Sequence, residues 1–134
     1  MLTKFFEFIF GKKIFFLEKK SHIEHSLNSM RTLAHIGIPV NEKPAKATYL
    51  ADAKLYITDP ADSKNNIEFL FFEPECQMPD IVKTSTHIAY CVDDIDAELN
   101  GAEILIPPFE PLPNVKAAFI MEDGLPIELM QISK

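Results

Sequence analysis

The sequence has few cysteines, few basic residues and no long uncharged run, and each shortage excludes a class of protein. Among 134 residues there are two cysteines, Cys76 and Cys91, too few for a disulfide scaffold. Because no secretion signal is recognisable, we interpret both as reduced thiols in a cytoplasmic protein. Lys and Arg number 13 against 20 Asp and Glu, and the net charge of −7 argues against nucleic-acid binding.

The N-terminal segment is rich in phenylalanine, with six of the eleven Phe residues in the first sixteen positions. Charges at Glu7 and at Lys12-Lys13 interrupt it, so no stretch approaches the roughly 20 apolar residues that span a bilayer. We expect no membrane contact. The segment is predicted to pack on the core or on a second subunit, and we expect a homodimer.

A first series of predicted elements runs from about residue 13 to residue 75. A short apolar run at 14–17 indicates a strand, and Ser21 to Glu24 has the pattern of a capping box. Apolar residues at helical spacing then predict a helix that ends at Gly37. Residues 48–57 are expected to form two strands or one bent strand, and residues 67–72 a further strand.

A second series spans about residues 86 to 134, after a separating stretch at 74–85. It begins with a strand at 86–92 and a short helix capped by Asp93-Asp94. Strands at 103–106, 115–121 and 126–132 follow, and the prolines between 107 and 113 predict a stiff loop outside the sheet. Both series have the order strand, helix and three strands, which predicts a single α+β domain of two βαβββ modules.

The last strand of each series contains one glutamate among apolar residues. Glu68 lies within Asn-Ile-Glu-Phe-Leu, and Glu128 within Pro-Ile-Glu-Leu-Met. Both faces of these strands are otherwise apolar, and a lone buried carboxylate needs a cation or a donor partner. His87 begins the first strand of the second series. One imidazole and two carboxylates suit a divalent metal with open positions, although the same groups are also compatible with a hydrogen-bonded structural cluster.

The run from His87 to Ile95, His-Ile-Ala-Tyr-Cys-Val-Asp-Asp-Ile, resembles the opening of a module in the vicinal oxygen chelate superfamily. That group includes glyoxalase I, methylmalonyl-CoA epimerase, fosfomycin resistance proteins, extradiol dioxygenases and bleomycin-binding proteins. The resemblance implies paired modules that form one cupped mixed sheet around a metal, with helices outside. It also implies that Glu68, His87 and Glu128 occupy three ligand positions, and that the ion is Zn, Ni, Co, Mn or Fe.

The resemblance also implies a fourth ligand on the first strand of module one. Residues 14–17 hold no ligand, and the capping box places His22 and His25 in a solvated first helical turn. His35 falls at the predicted helix end, where it would interact with the helix dipole. We therefore expect a site with three protein ligands, or a cup that has lost its metal.

Three functions follow from the resemblance. The first is a metal-dependent lyase or isomerase that acts on a small substrate with vicinal oxygens through an enediolate, with Glu128 or Glu68 moving the proton. The second is a metal-free protein that sequesters a small molecule, like the bleomycin resistance proteins. Dioxygenase chemistry is the weakest, because its ligand set of two His and one carboxylate requires a second histidine.

Overall fold

The computed structural model describes residues 30–134, and the predicted strand at 14–17 and capping box at 21–24 lie outside this range. Within it the chain forms eight strands, two short helices and one 3-10 turn. These are β1 (Thr32–Pro39), β2 (Thr48–Leu50), β3 (Leu55–Ile57), the 3-10 turn (Pro60–Asp62), β4 (Ile67–Phe72), α1 (Asp80–Thr84), β5 (His87–Cys91), α2 (Ile95–Leu99), β6 (Glu103–Leu112), β7 (Val115–Glu122) and β8 (Leu125–Ile132).

All eight strands belong to one mixed, curled sheet with the order β2-β3-β4-β1-β5-β8-β7-β6. The innermost strands, β1 and β5, are antiparallel to each other. Each has a parallel partner on its other side, β4 beside β1 and β8 beside β5. In both halves the first strand is therefore innermost, followed outwards by the fourth, third and second. The predicted α+β fold with a cupped mixed sheet is confirmed.

The predicted helix ending at Gly37 is wrong for residues 32–37, which belong to β1. His35 and Gly37 are buried while their neighbours are more exposed, an alternation of period two that only a strand produces. β1 pairs with a strand on each side. This pairing satisfies its backbone groups and outweighs the helical spacing of its apolar residues. Residues 40–47, between β1 and β2, contain no helix.

The predicted proline loop at 107–113 is also wrong in part, because β6 continues to Leu112. β6 is the outermost strand of its half, so the missing amide hydrogens of Pro107, Pro108 and Pro111 remove no bond from the middle of the sheet. The pairing with β7 shifts register three times, between Ile104 and Leu112. These irregularities accommodate the prolines along an otherwise extended edge.

The other predicted elements of the described range are present, with small shifts at their ends. β2 and β3 are the two strands expected within 48–57. The α2 helix begins as predicted, since the Asp94 side chain accepts the backbone amides of Asp96 and Ala97. Asp123 and Gly124 form the turn between β7 and β8 with positive φ angles of 51° and 75°. The stretch at 74–85 contains α1 rather than irregular chain alone.

Alternation along the strands separates the hydrophobic core from the opposite face of the sheet. The core cluster consists of Val92, Ile95, Ala118, Ile120, Ile127 and Leu129, with Ile95 contributed by α2. Glu128 lies between Ile127 and Leu129 in β8, so its side chain leaves by the other face. None of the helices between residues 30 and 134 is both long and apolar enough to cross a membrane.

Candidate metal centre

The candidate site lies where two rows of paired residues cross the four central strands. In one row Gly37 of β1 stands between Glu68 of β4 and His87 of β5. In the other, Ala89 of β5 stands between Glu128 of β8 and His35 of β1. Each row thus has a histidine and a glutamate on either side of a small residue. The rows are two residues apart along β1 and β5, so all four functional side chains leave the same face.

The polar atoms of these side chains converge. The His35 and His87 Nε2 atoms lie 3.4 Å apart. Each is 3.2 Å from Glu128 Oε2. His35 Nε2 is also 3.5 Å from Glu68 Oε1. Ligand atoms of His35, Glu68 and His87 all lie within 4.8 Å of one another.

The His87 ring is fixed by close packing. The side chain is fully buried and meets the Phe119 ring edge to face at 5.3 Å. It lies directly over Gly37, where an added Cβ would come within 2.0–2.5 Å of three ring atoms. Its Nδ1 is buried and has no hydrogen-bond partner among the residues described. The ring therefore turns Nε2 towards the other three side chains.

Burial and charge act in opposite directions on the ionisable groups. Burial raises the pKa of Glu68 to about 7, against a smaller lowering by His35. Burial also acts to raise the pKa of Glu128, but the hydrogen bonds donated by His35 and His87 hold it below its ordinary value. For His35, burial lowers the pKa, and the hydrogen bond to Glu128 together with the two carboxylate charges raises it overall. The two carboxylates thus differ in proton affinity.

The spacing and chemistry of the four donors fit a divalent ion. The edge of a tetrahedron is about 1.6 times its centre-to-corner distance, so ligands about 2.0–2.1 Å from an ion are about 3.3–3.4 Å apart. The four separations given above run from 3.2 to 3.5 Å. Imidazole nitrogen and carboxylate oxygen are ligands for Zn, Ni, Co, Mn and Fe. The described residues therefore offer a three-ligand group of His35, Glu68 and His87, with Glu128 as a further donor beside both histidines.

The three site residues predicted from the sequence lie in one cluster, and one member of the cluster was missed. His35 is the added residue, and its predicted role at a helix end is wrong because it lies in β1. The expected ligand position at 14–17 lies outside the described residues, as do His22 and His25. A signal for His35 exists in the sequence: His35-Ile36-Gly37 repeats the pattern of His87-Ile88-Ala89.

A cavity of about 560 Å³ opens above the cluster. All four site residues line it. Its walls are mainly apolar, and the most deeply buried of the wall residues are Leu55, Leu70, Val82 and Phe119. The volume lies within the range of pockets that enclose small organic molecules. The arrangement is chemically able to hold a small ligand against two imidazoles and two carboxylates.

Comparison with known proteins shows likeness of fold. No family profile matches the chain. No curated protein matches it in sequence. A hypothetical protein, BH1468 from Bacillus halodurans C-125, superposes with a TM-score of 0.55 at 18% identity over 78% of this chain and 96% of its own. Methylmalonyl-CoA epimerase from Mycobacterium tuberculosis gives 0.53 at 16% identity over 76% and 88%. With the curled sheet, these likenesses show a shared fold.

Proposed function

We propose that the protein is a glyoxalase-like, metal-dependent isomerase or lyase that acts on a small substrate with vicinal oxygens. The observation that carries the proposal is the cluster of His35, Glu68 and His87, whose ligand atoms lie within 4.8 Å of one another beneath an apolar cavity. Glu128 Oε2 lies 3.2 Å from both imidazoles of this cluster. Likeness of fold to an epimerase supports it. His35 supplies a second imidazole, so the donor set is also compatible with the two-histidine, one-carboxylate set of the dioxygenases, and the preference for an isomerase rests on the epimerase likeness.

His35, Glu68, His87 and Glu128 would hold the ion. A bound divalent ion supplies Lewis-acid stabilisation of negative charge that develops on two neighbouring substrate oxygens. The mainly apolar walls lower the local dielectric constant, which strengthens electrostatic interactions in the cavity. The chain's own contribution is to fix the donors: Gly37 leaves space for the His87 ring, and β1 and β5 set the two histidines on one face.

The two glutamates have different roles in this proposal. Glu128 Oε2 lies 3.2 Å from both histidine Nε2 atoms, so it is held on two sides. Glu68 Oε1 makes a longer contact, 3.5 Å to His35 Nε2, so this carboxylate is held less firmly. In the metal-free site, burial raises the pKa of Glu68 to about 7. Glu68 would act as a base only when its carboxylate is released from the ion, which also leaves room for substrate, and it would then take a proton from the substrate carbon and return it. Glu128 would keep the imidazoles oriented.

The test combines metal titration with a readout of proton exchange. Titration of chelator-treated protein with Zn²⁺, Ni²⁺, Co²⁺ and Mn²⁺ is expected to show one equivalent bound, and Glu128→Gln is expected to lose most of the affinity. Glu68→Gln should retain more affinity but abolish deuterium incorporation from D₂O into a panel of α-hydroxy ketones, followed by NMR. Glu103→Gln, an exposed acid at the start of β6, is the matched control. Circular dichroism checks that each variant is folded.

A metal-free binding protein is the second candidate, and one observation favours it. Glu128 Oε2 lies 3.2 Å from both histidine Nε2 atoms, so the cluster satisfies part of its own hydrogen-bonding without an ion. If the purified protein carries no metal, binds none at micromolar concentration, and Glu128→Gln leaves small-molecule binding intact, this candidate replaces the first.

A further inference from the structure

We infer that the cavity takes a ligand whose body is apolar and uncharged, and that acidic side chains at its rim exclude anionic groups. The inference rests on the proposed function only for the ligand's oxygen-bearing head, which would reach the four site residues. The claim about the body depends on the walls and the rim alone.

The walls provide the first argument. Phe109 of β6 and Phe119 of β7 stack with ring centroids 6.5 Å apart and line the same cavity. From the other half of the sheet, Leu55 and Leu70 line it at 2% and 5% exposure. Apolar walls on both sides contribute affinity only when they bury apolar ligand surface, and a charged group placed between them loses its hydration without a partner.

The rim provides the second argument. Asp52, in the turn between β2 and β3, and Glu110, in β6, both line the cavity and both are exposed. β2 and β6 are the two outermost strands of the sheet, so negative charge flanks the cavity from opposite edges. Within the described part of the chain, no Lys or Arg side chain lines the cavity. Lys54, two residues beyond Asp52, does not line it.

The acidic side chains at the rim therefore oppose entry of an anion into the cavity. Two like charges about 8 Å apart at an effective dielectric constant near 20 repel strongly enough to weaken binding by more than tenfold. Phosphorylated ligands and carboxylate-bearing conjugates belong to the excluded class. Ligands with an aromatic or branched aliphatic body belong to the accepted class.

The probes are three benzohydroxamic acids with the same chelating head and different 4-substituents: tert-butyl, trimethylammonium and carboxylate. The first two have nearly the same shape and differ in charge. Calorimetric titration of Zn²⁺-loaded protein at pH 7 is expected to give the tightest binding for tert-butyl. The carboxylate is expected to bind at least about tenfold more weakly than either of the others.

Charge reversal at the rim tests the cause. Asp52→Lys and Glu110→Lys should each reduce the ratio of the binding affinities of the tert-butyl and carboxylate compounds by about threefold or more. Glu103→Lys changes net charge equally but lies outside the cavity lining, and should leave the order unchanged. Equal affinity for the carboxylate and trimethylammonium compounds, or an order that neither rim variant alters, overturns the inference.

A second series separates this inference from the proposed function. The corresponding benzamides carry the same 4-substituents but do not chelate, and they are titrated into metal-free protein. If the metal proposal fails, hydroxamates and amides bind with equal affinity. The relative affinities of the neutral, cationic and anionic amides then still test whether the rim acids exclude anions. If hydroxamates bind more tightly but the charge order is absent, the metal proposal stands and the inference about the ligand body is wrong.

Discussion

Gly37 stands between His87 and Glu68 in the sheet, and the absence of a side chain there makes the site possible. Any larger residue would occupy the space of the imidazole, because a Cβ at this position comes within 2.0–2.5 Å of the His87 ring. Its counterpart in the other row is Ala89, which is fully buried. The site therefore requires a small residue at this position as well as the histidine and the glutamate beside it.

Gly37→Ala should displace the His87 ring and weaken metal binding by at least about tenfold, while the protein stays folded. Titration with Zn²⁺ and a thermal melt measure the two effects. Gly101→Ala is the matched control: Gly101 has a φ of 77° and open space around it, so alanine there costs about 1 kcal/mol of stability and leaves metal binding unchanged. Wild-type affinity in Gly37→Ala would contradict the role of this glycine.

Protons compete with the metal at two of the four donors. The pKa of His35 is raised above its ordinary value, and that of Glu68 is raised to about 7, so both groups hold protons at pH 6. Metal binding must release them. Apparent affinity should therefore fall as the pH is lowered from 8 to 6, and calorimetry in buffers of different ionisation enthalpy should show proton release. An affinity that is flat across this range would contradict the assignment.

The sequence predicted Glu68, His87 and Glu128 but not His35, and the reason is physical. The glutamates are conspicuous because each interrupts an apolar closing strand. His35 lies in a strand that contains a glycine and a terminal proline, both unfavourable for strand formation. β1 is a strand because β4 and β5 pair with it on both sides. No local sequence pattern indicates such pairing. The prediction therefore followed the helical spacing of the apolar residues.

An ion-pair cluster joins three elements near the start of β1. Arg31 donates to Glu98 of α2 at 2.6 and 2.9 Å, and to both carboxylate oxygens of Glu122 in β7 at 2.6 and 2.9 Å. The Glu98 side chain is only 4% exposed. The guanidinium also lies 5.8 Å from the centre of the Tyr90 ring. The cluster fixes β1 against the second half of the sheet.

Arg31→Gln should lower the free energy of unfolding by about 2 kcal/mol, because it leaves the buried Glu98 carboxylate without its cation. Urea unfolding followed by circular dichroism measures the change. Lys116→Gln removes the exposed ion pair with Asp96 of the same helix and should cost less than about 0.5 kcal/mol. Equal effects of the two substitutions would contradict the assigned role of Arg31.

The Arg31 effect should also depend on pH. The hydrogen bonds from Arg31 lower the pKa of Glu122 below 4.5. A carboxylate whose pKa is depressed in the folded state contributes stability above its unfolded pKa and loses it as the pH falls through the folded value. The difference in the free energy of unfolding between wild type and Arg31→Gln should therefore be largest at pH 6–7 and should become smaller below pH 4. A difference that grows on acidification would contradict this interpretation.

Neither half of the whole molecule holds the site alone. His35 and Glu68 come from the first four strands, and His87 and Glu128 from the last four. The closing strands of the two halves were predictable from the paired Ile-Glu motifs, while β1 at Thr32–Pro39 and the missing helix between β1 and β2 were not. The module boundaries at 13–75 and 86–134 stay a prediction, since the first begins outside the described residues.

A homodimer remains the expected assembly. Large apolar side chains are exposed on the described part of the chain, among them Leu33 at 52% and Ile132 at 58%. A partner surface would cover such groups. Light scattering at micromolar concentration should give about twice the chain mass of 15.2 kDa. A mass near that of one chain, unchanged on tenfold concentration, would contradict the prediction.

The prolines of β6 also bear on how the molecule avoids unwanted association. An open sheet ends in unpaired backbone groups that can recruit a strand from another chain and seed fibrils. At the β6 edge, three positions without amide hydrogens and a register that shifts three times interrupt that template. At the opposite edge, β2 offers only three residues. A sheet of eight strands thus ends in two poor templates for growth, which favours recognition through its concave face rather than through its edges.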